Sequence, residues 1–462
     1  MSISEHVRKE GADASGVRPG RTLAAVAVVQ FMVSLDLSVV NVGLPRIAAA
    51  LGFTEVGLTW VIHAYALTFG GLLLLGGKAA DRYGRKRVLL FGLGLFGLAS
   101  LLGGFAQTPG QLVAARAAQG VGAAALAPAA LALLTTAFPG GRARVRAFGV
   151  WSAMNAAGGA LGVLIGGLLT EYAGWRWVMF VNVPMAAVAL LLALRGVPAG
   201  PPPARAGRPD AAGAVLATAG MTLLVLGVVR TEQYAWTSPV TLVTLAAAAV
   251  LLAAFVQVER TTTREPLVRL GLFANRSVAG ASAYNLMIGA AMASAFYFMS
   301  LYLQRVLGIG PAPAGVMFLP FALAVVAGSV LAVRLGHRHA PRTLLVAGGL
   351  LTATGFAWFG LISPDGGFAA DVLGPSIVAG AGVASHETGV ASGLLNSSRQ
   401  IGASLGLAAL GTAAHHRTGA HATPETLNDG YAFGLVLCAT LLLAAVLIAL
   451  TVLPRRNGPP AG

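Results

Sequence analysis

Two side chains carry charge where charge is hard to keep: Asp36, inside the apolar run Thr22 to Leu44, and Arg116, inside Gln111 to Ala137. The rest of the 16 acidic residues fall in tails, loops or the ends of apolar runs. A carboxylate held in hydrocarbon costs at least about 2.5–3.5 kcal/mol unless it is paired or protonated. Asp36 is therefore either a proton-carrying group or the acceptor of a helix-packing hydrogen bond. Counted at about 1.5 Å per residue, Arg116 sits about 6–8 Å shallower than Asp36, within reach of its long side chain. His63 is a second proton-relay candidate, with a hydrogen-bonded packing role as its alternative. The sequence shows no Walker phosphate loop and no nucleophile or metal-ligand constellation, so no ATP, metal, cofactor or enzymatic reaction is expected.

On a helix, Gln30, Ser34, Ser38 and Asn41 share a sector about 80° wide, and Asp36 points nearly the opposite way. One face would line a cavity and the other would meet a neighbouring helix; the sequence assigns neither. Further candidate cavity residues are Trp60, Tyr65, Gln119, Met154, Asn155, Tyr284, Asn285 and Phe296, because aromatic and Met side chains suit adaptable binding of apolar ligands. For each of them, packing within a bundle is the alternative role.

Positioning these groups is a task for membrane-spanning helices. Of the 462 residues, 56% are hydrophobic and only 10% charged, and the mean hydropathy is +0.77, which places the chain outside the usual globular range. The formal net charge of +15 would suit nucleic acid if the cations shared one surface, but they are dealt out in short loops, so no such partner is expected. Cys438 is the single cysteine, which leaves no internal disulfide.

Each crossing needs about 20 mostly apolar residues. The expected fold is an all-α integral membrane protein. An N-terminal tail (1–21) precedes six segments in 22–194: Thr22 to Leu44, Gly57 to Gly76, Val88 to Ala106, Gln111 to Ala137, Ala147 to Thr170 and Trp177 to Leu194. A linker (195–210) with Pro198, Pro201, Pro202, Pro203 and Pro209 cannot be helical throughout. Two additional segments (211–258), a basic connector (259–276), a second group of six segments (277–453) and a C-terminal tail (454–462) follow. The nominal count is fourteen, but the twelfth segment, Val372 to Ala384, offers only about 20 Å of helix against about 30 Å of hydrocarbon. It is expected to be short, strained or partly unwound, and to recruit Ser385 to Thr388.

Orientation follows from the cations. With both termini in the cytoplasm, of 31 Lys and Arg only Arg46, Arg176, Arg230, Arg305 and Arg417 fall outside and only Arg116 falls within a span, as the positive-inside rule requires. The densest loop runs from Gly77 to Arg87 and contains Asp81, Arg82, Gly84, Arg85 and Lys86. A weaker echo appears at Arg334, Leu335, Gly336, His337 and Arg338, where Val333 replaces the acid. Such a repeat is expected of a transporter built from two similar halves.

The Gly-x-x-x-Asp-Arg-x-Gly-Arg-Lys pattern of that loop closely resembles the signature between helices two and three of the major facilitator superfamily. Four further stretches resemble its fourteen-helix drug–proton antiporters. They are Leu35 to Pro45; Leu112, Arg116, Gln119 and Gly120 to Ala124; Trp175 to Pro184; and His386 to Gly402. The fifth-helix glycines are present as Gly158, Gly162, Gly166 and Gly167, although Gly159 and Val163 stand where that signature usually has proline. In the resembling family the twelfth helix continues before the His-Glu-Thr-Gly stretch, so this chain looks shortened there.

The resemblance implies two six-helix bundles with two extra central helices. It makes the first and fourth helices neighbours, so that Arg116 would hold Asp36 ionised and release it as the pocket changes. It also implies that Asp81, fixed by nearby cations and a helix end, holds the cytoplasmic side closed. The implied activity is export of an apolar or cationic drug, or of a secondary metabolite, in exchange for protons across the bacterial cytoplasmic membrane by a monomer. Two other readings stay open: a facilitator or importer on the same fold, which the absent prolines allow, and a membrane protein that no longer transports because of its twelfth segment.

Overall fold

The computed structural model describes residues 19–198, 211–232, 234–261, 270–336, 340–387, 393–419 and 422–452. Residues 1–18 of the N-terminal tail, the C-terminal tail, most of the Pro-rich linker, residues 262–269 of the basic connector, His337 and Arg338 of the loop echo, and residues 388–392 of the His-Glu-Thr-Gly stretch lie outside them.

Among the described residues the chain folds into fourteen helices. They are α1 (Pro19–Leu51), α2 (Glu55–Tyr83), α3 (Arg85–Gly104), α4 (Pro109–Ala137), α5 (Gly141–Leu168, widening into a π turn at Leu169–Ala173) and α6 (Arg176–Gly196, interrupted at Val181). Then come α7 (Ala211–Val229), α8 (Pro239–Thr261), α9 (Arg276–Leu301, with a π turn at Tyr302–Val306) and α10 (Pro311–Met317 and Leu319–Gly336). The last are α11 (Pro341–Phe359), α12 (a π turn at Phe368–Leu373, then Gly374–Glu387), α13 (Gly393–Thr418) and α14 (Pro424–Thr451). Eleven of them are long and apolar enough to cross a membrane, and Val215–Val228 and Phe368–Val383 are shorter apolar helices. The polar run Asn396 to Gln400 sets α13 apart from both groups.

Local chemistry fixes the helix ends. The side chains of Thr54, Thr108 and Thr423 accept backbone N–H groups at the starts of α2, α4 and α14, and Pro109 and Pro424 occupy first-turn positions that need no donor. Gly84, at φ 94°, separates α2 from α3; a side chain there would be strained.

The packing repeats. In the first bundle α1 lies against α5 and α6, while α4 lies against α2 and α3; in the second, α9 lies against α13 and α14, and α12 against α10 and α11. The bundles meet along two seams, α2 with α13 and α5 with α10. The extra helix α7 packs on both α2 and α13, with α8 outside it, and Leu67, Val225 and Ala408 form a small core beneath it. One seam is thus covered by the central pair.

In lipid, apolar surface alone does not drive helices together, so close approach of small residues does much of the work. A Cβ at Gly158, Gly162 or Gly166 would stand 2.5, 2.8 and 2.7 Å from the carbonyl oxygens of Phe31, Leu35 and Val39. These glycines let the backbone of α5 lie on α1. Gly167 faces the other bundle instead, against Pro311 of α10. In the second bundle Gly402 and Gly406 of α13 play the corresponding part against α9.

The twelfth helix is extended at both ends relative to Val372 to Ala384. It begins at Phe368 through the π turn and continues to Glu387, although its apolar part stops at Val383. Twenty residues of helix are reached by taking in polar positions at the end.

Candidate functional site

Asp36 and Arg116 meet. Arg116 Nη1 donates to Asp36 Oδ2 at 2.7 Å, with Asp36 0% and Arg116 2% exposed. Helix α1 supplies the carboxylate and α4 the guanidinium; the packing of α1 on α4 brings them level despite their different depths. The second carboxylate oxygen accepts from Asn182 Nδ2 of α6 at 2.7 Å and from Gln119 Nε2 at 3.2 Å.

The cation is held as firmly. Arg116 Nε donates to the carbonyl of Val61 at 3.0 Å, Nη1 also reaches Gln119 Oε1 at 2.9 Å, and the guanidinium lies 4.4 Å from the centre of the Tyr65 ring. Gln119 Nε2 donates to Ser100 Oγ at 2.7 Å, and Ser100 in turn donates to the carbonyl of Phe96. Five helices, α1, α2, α3, α4 and α6, therefore contribute to one sealed cluster. A buried pair of this kind is tolerable because both carboxylate oxygens of Asp36 and the Nε and Nη1 of Arg116 are hydrogen-bonded, although Asn182 Oδ1 and the Tyr65 hydroxyl have no partner among the described residues. Loss of one member of such a pair typically costs about 3–5 kcal/mol.

The two faces of α1 are now assigned. The Asp36 face packs into the first bundle, and the polar face turns to α5, where Gln30 Nε2 and Ser34 Oγ both donate to Asn155 Oδ1, at 2.7 and 2.6 Å. Ser38 Oγ contacts the carbonyl of Ser34 at 3.4 Å, and Asn41 Nδ2 donates to that of Leu37 at 2.8 Å. Gln30, Ser38, Asn41, Met154 and Asn155 are partly exposed, whereas Ser34 is buried. Trp60 is half-buried beside His63, 5.7 Å between ring centres.

Other candidates lie elsewhere. Gln119 and Tyr65, expected among cavity residues, are fully buried parts of the ion-pair cluster. Tyr284 is buried with its hydroxyl 3.4 Å from the carbonyl of Leu345, and Asn285 donates to Ala281 O of its own helix. Phe296 stacks on Phe318 and meets Phe321 edge-on inside the second bundle. His63 is fully buried at the α2–α13 seam, its Nδ1 3.2 Å from Ser404 Oγ. Asn182 and Ser100 were not singled out as site residues from the sequence; an Asn inside an apolar span, two residues before Pro184, was the available signal.

In the Gly77 to Arg87 loop, Asp81 is exposed and its ion pair with Arg85 is long, 3.9 Å. The cations do more of the tying. Arg85 bonds Ala132 O at 3.3 Å and also reaches Thr136 Oγ1 on α4, and Lys86 Nζ donates to Leu194 O and Val197 O at the end of α6, at 3.0 and 2.6 Å. These contacts stay within the first bundle.

At the opposite end, hydrogen bonds join the bundles. Ser300 Oγ donates to Asn41 O at 3.0 Å, Gln304 Nε2 to Val42 O at 3.1 Å, and the Ala312 N–H to Glu171 at 2.7 Å. At mid-depth Ser397 Oγ donates to Gly70 O at 2.6 Å.

Comparison with known proteins agrees with this architecture. The family model described as Major Facilitator Superfamily matches residues 26–407. The cephamycin export protein of Amycolatopsis lactamdurans is 40% identical over 475 residues, covering 97% of each chain. That alignment is longer than this chain, so the relative carries positions that have no counterpart here. The puromycin resistance protein of Streptomyces alboniger is 38% identical over 97% of this chain and 94% of its own. A solved bacterial homologue of the human lysosomal transporter Spinster, in an inward-facing and unoccupied conformation, superposes with a TM-score of 0.63 at 17% identity, over 96% of this chain and 99% of that one.

Proposed function

The chain belongs to the Major Facilitator Superfamily, and from that premise we propose that it exports an apolar or cationic antibiotic or secondary metabolite across the bacterial cytoplasmic membrane in exchange for protons. It is a multi-pass membrane transporter of small molecules, not an enzyme. The observation that supports proton exchange is the fully buried Asp36–Arg116 pair, because a titratable group sealed in a bundle can gain a proton only when its helices part.

Protonation of Asp36 removes the charge that Arg116 pairs with and leaves a buried cation uncompensated. Arg116 must then move or the cluster must admit water. Either response shifts α1 against α4 and α6. Five residues beyond Asp36, the same helix carries Asn41, whose carbonyl accepts from Ser300 of the second bundle. Titration on one face of α1 is thereby connected to the contacts that close one end of the transporter, while the Gln30–Ser34–Asn155 group on its other face offers polar contacts to a ligand. With both termini cytoplasmic, the bundles are tied at the outer end, which corresponds to an inward-facing arrangement.

Facilitated movement without protons is the second reading, favoured by Gly159 and Val163 at positions where the export signature has proline. Susceptibility profiling in an efflux-deficient bacterial host tests the exporter. The expected result is raised resistance to at least one antibiotic, abolished by a protonophore; resistance that survives the protonophore would favour the facilitator.

A further inference from the structure

The surface groove between α2 and α3 has no part in the coupling cluster, yet its chemistry is specific. Both helices pack closely on α4 and less on each other, and Gly76 brings α2 so near Ala124 that no side chain could intervene. The floor, formed by Val121 and Ala124, is therefore low. The small Ala79 and the exposed Phe91 form the walls, and the space enclosed is about 390 Å³. Tyr83 and Arg87 stand at its mouth, at the basic end of the bundle.

Arg87 differs from its loop neighbours. Arg85 and Lys86 are committed to α4 and α6, whereas the exposed Arg87 has no hydrogen bond or ion pair among the described residues. The groove reaches from Tyr83 back to Leu72, which is about 16 Å of helix. Half of the hydrocarbon core is about 15 Å. An apolar channel of one leaflet's depth, headed by an unpaired guanidinium and an interfacial Tyr, matches an acyl chain with a phosphate above it.

We propose that this groove binds an anionic phospholipid, with one acyl chain between α2 and α3 and the headgroup phosphate on Arg87. The bound lipid ties the Gly77 to Arg87 loop to its leaflet. The site follows from the groove and its mouth alone and does not depend on the direction or coupling of transport.

Native mass spectrometry of the full chain in detergent, titrated with phosphatidylglycerol or phosphatidylcholine, tests it. The first phosphatidylglycerol adduct should form more tightly than the phosphatidylcholine adduct, and Arg87→Gln should weaken it roughly fivefold, from about 1 kcal/mol per basic residue at a membrane surface, while weakening phosphatidylcholine less because choline offsets the charge of its phosphate. Ala79→Phe, which fills the groove, should weaken both lipids. Arg142→Gln, at another exposed arginine of the same end, should alter neither. Equal phosphatidylglycerol binding by wild type and Arg87→Gln, or pairing of two chains through this face in place of lipid adducts, would overturn the proposal.

Discussion

Asn182 donates to Asp36 without carrying charge, so its substitution measures the carboxylate's environment while leaving the titrating pair in place. Asn182→Leu removes a 2.7 Å hydrogen bond to a buried carboxylate, an interaction worth about 1.5–3 kcal/mol. Thermal unfolding in detergent should show a stability loss of that size; an unchanged midpoint would mean that the bond contributes nothing to the folded state. Charge made Asp36 and Arg116 legible in the sequence, because each is the lone ion of an apolar run. Gln119, Tyr65, Ser100 and Asn182 were harder to place, since neutral polar and aromatic side chains occur equally in packing, cavities and ion-pair shells. Spacing says which face of its own helix such a residue occupies, but not which neighbour that face meets. The orientation of α1 became clear only once α5 lay against Gln30 and Ser34 and α6 against Asp36.

Helix positions follow from apolar runs of bilayer length, and the fifth-helix glycines pointed to close packing, but their partners are a tertiary property. Gly162 should be intolerant of a side chain because a Cβ there falls 2.8 Å from Leu35 O, whereas Gly149 has nothing within 4 Å. We expect Gly162→Leu to reduce folded protein or efflux at least tenfold and Gly149→Leu to leave both near wild type, as read by membrane yield and dye export. Equal tolerance at the two positions would separate the glycines from helix approach. For α12 the shortened apolar run and its extension through Ser385 to Glu387 were legible in the sequence, but the π turn at Phe368–Leu373 was not, since it has no simple compositional signature. Its apolar part still ends at Val383. Insertion of about seven apolar residues after Val383, completing a span of about 20, should raise folded yield and efflux together; no gain would show that the helix as it stands is sufficient.

Two bundles joined at one end must exchange that closure for another if they are to move a solute across the bilayer. Cys438 is buried and is the single cysteine, so introduced cysteines report cleanly on this exchange. Met154→Cys should react with a membrane-impermeant thiol reagent from the cytoplasmic face, and Ser300→Cys, beneath a contact to Asn41 O, should be protected from the outside. Adding Asp81→Ala should increase labelling of Met154→Cys, because the loss of its partner loosens Arg85 at the α2–α3 turn; unchanged labelling would reduce the loop to a topology signal. The two-fold arrangement of helices was legible in the sequence from the loop echo and the order of motifs, while the placement of α7 over the α2–α13 seam was not, because its apolar surface serves lipid and protein alike. The most direct measurement compares wild type with Asp36→Asn in everted membrane vesicles, following a pH-sensitive dye as an exported drug is added to an established proton gradient. Asn keeps the shape and one acceptor oxygen but cannot titrate. The account predicts drug-dependent proton movement in wild type and none in Asp36→Asn, with drug binding retained; undiminished proton-coupled, uphill export by Asp36→Asn would contradict it.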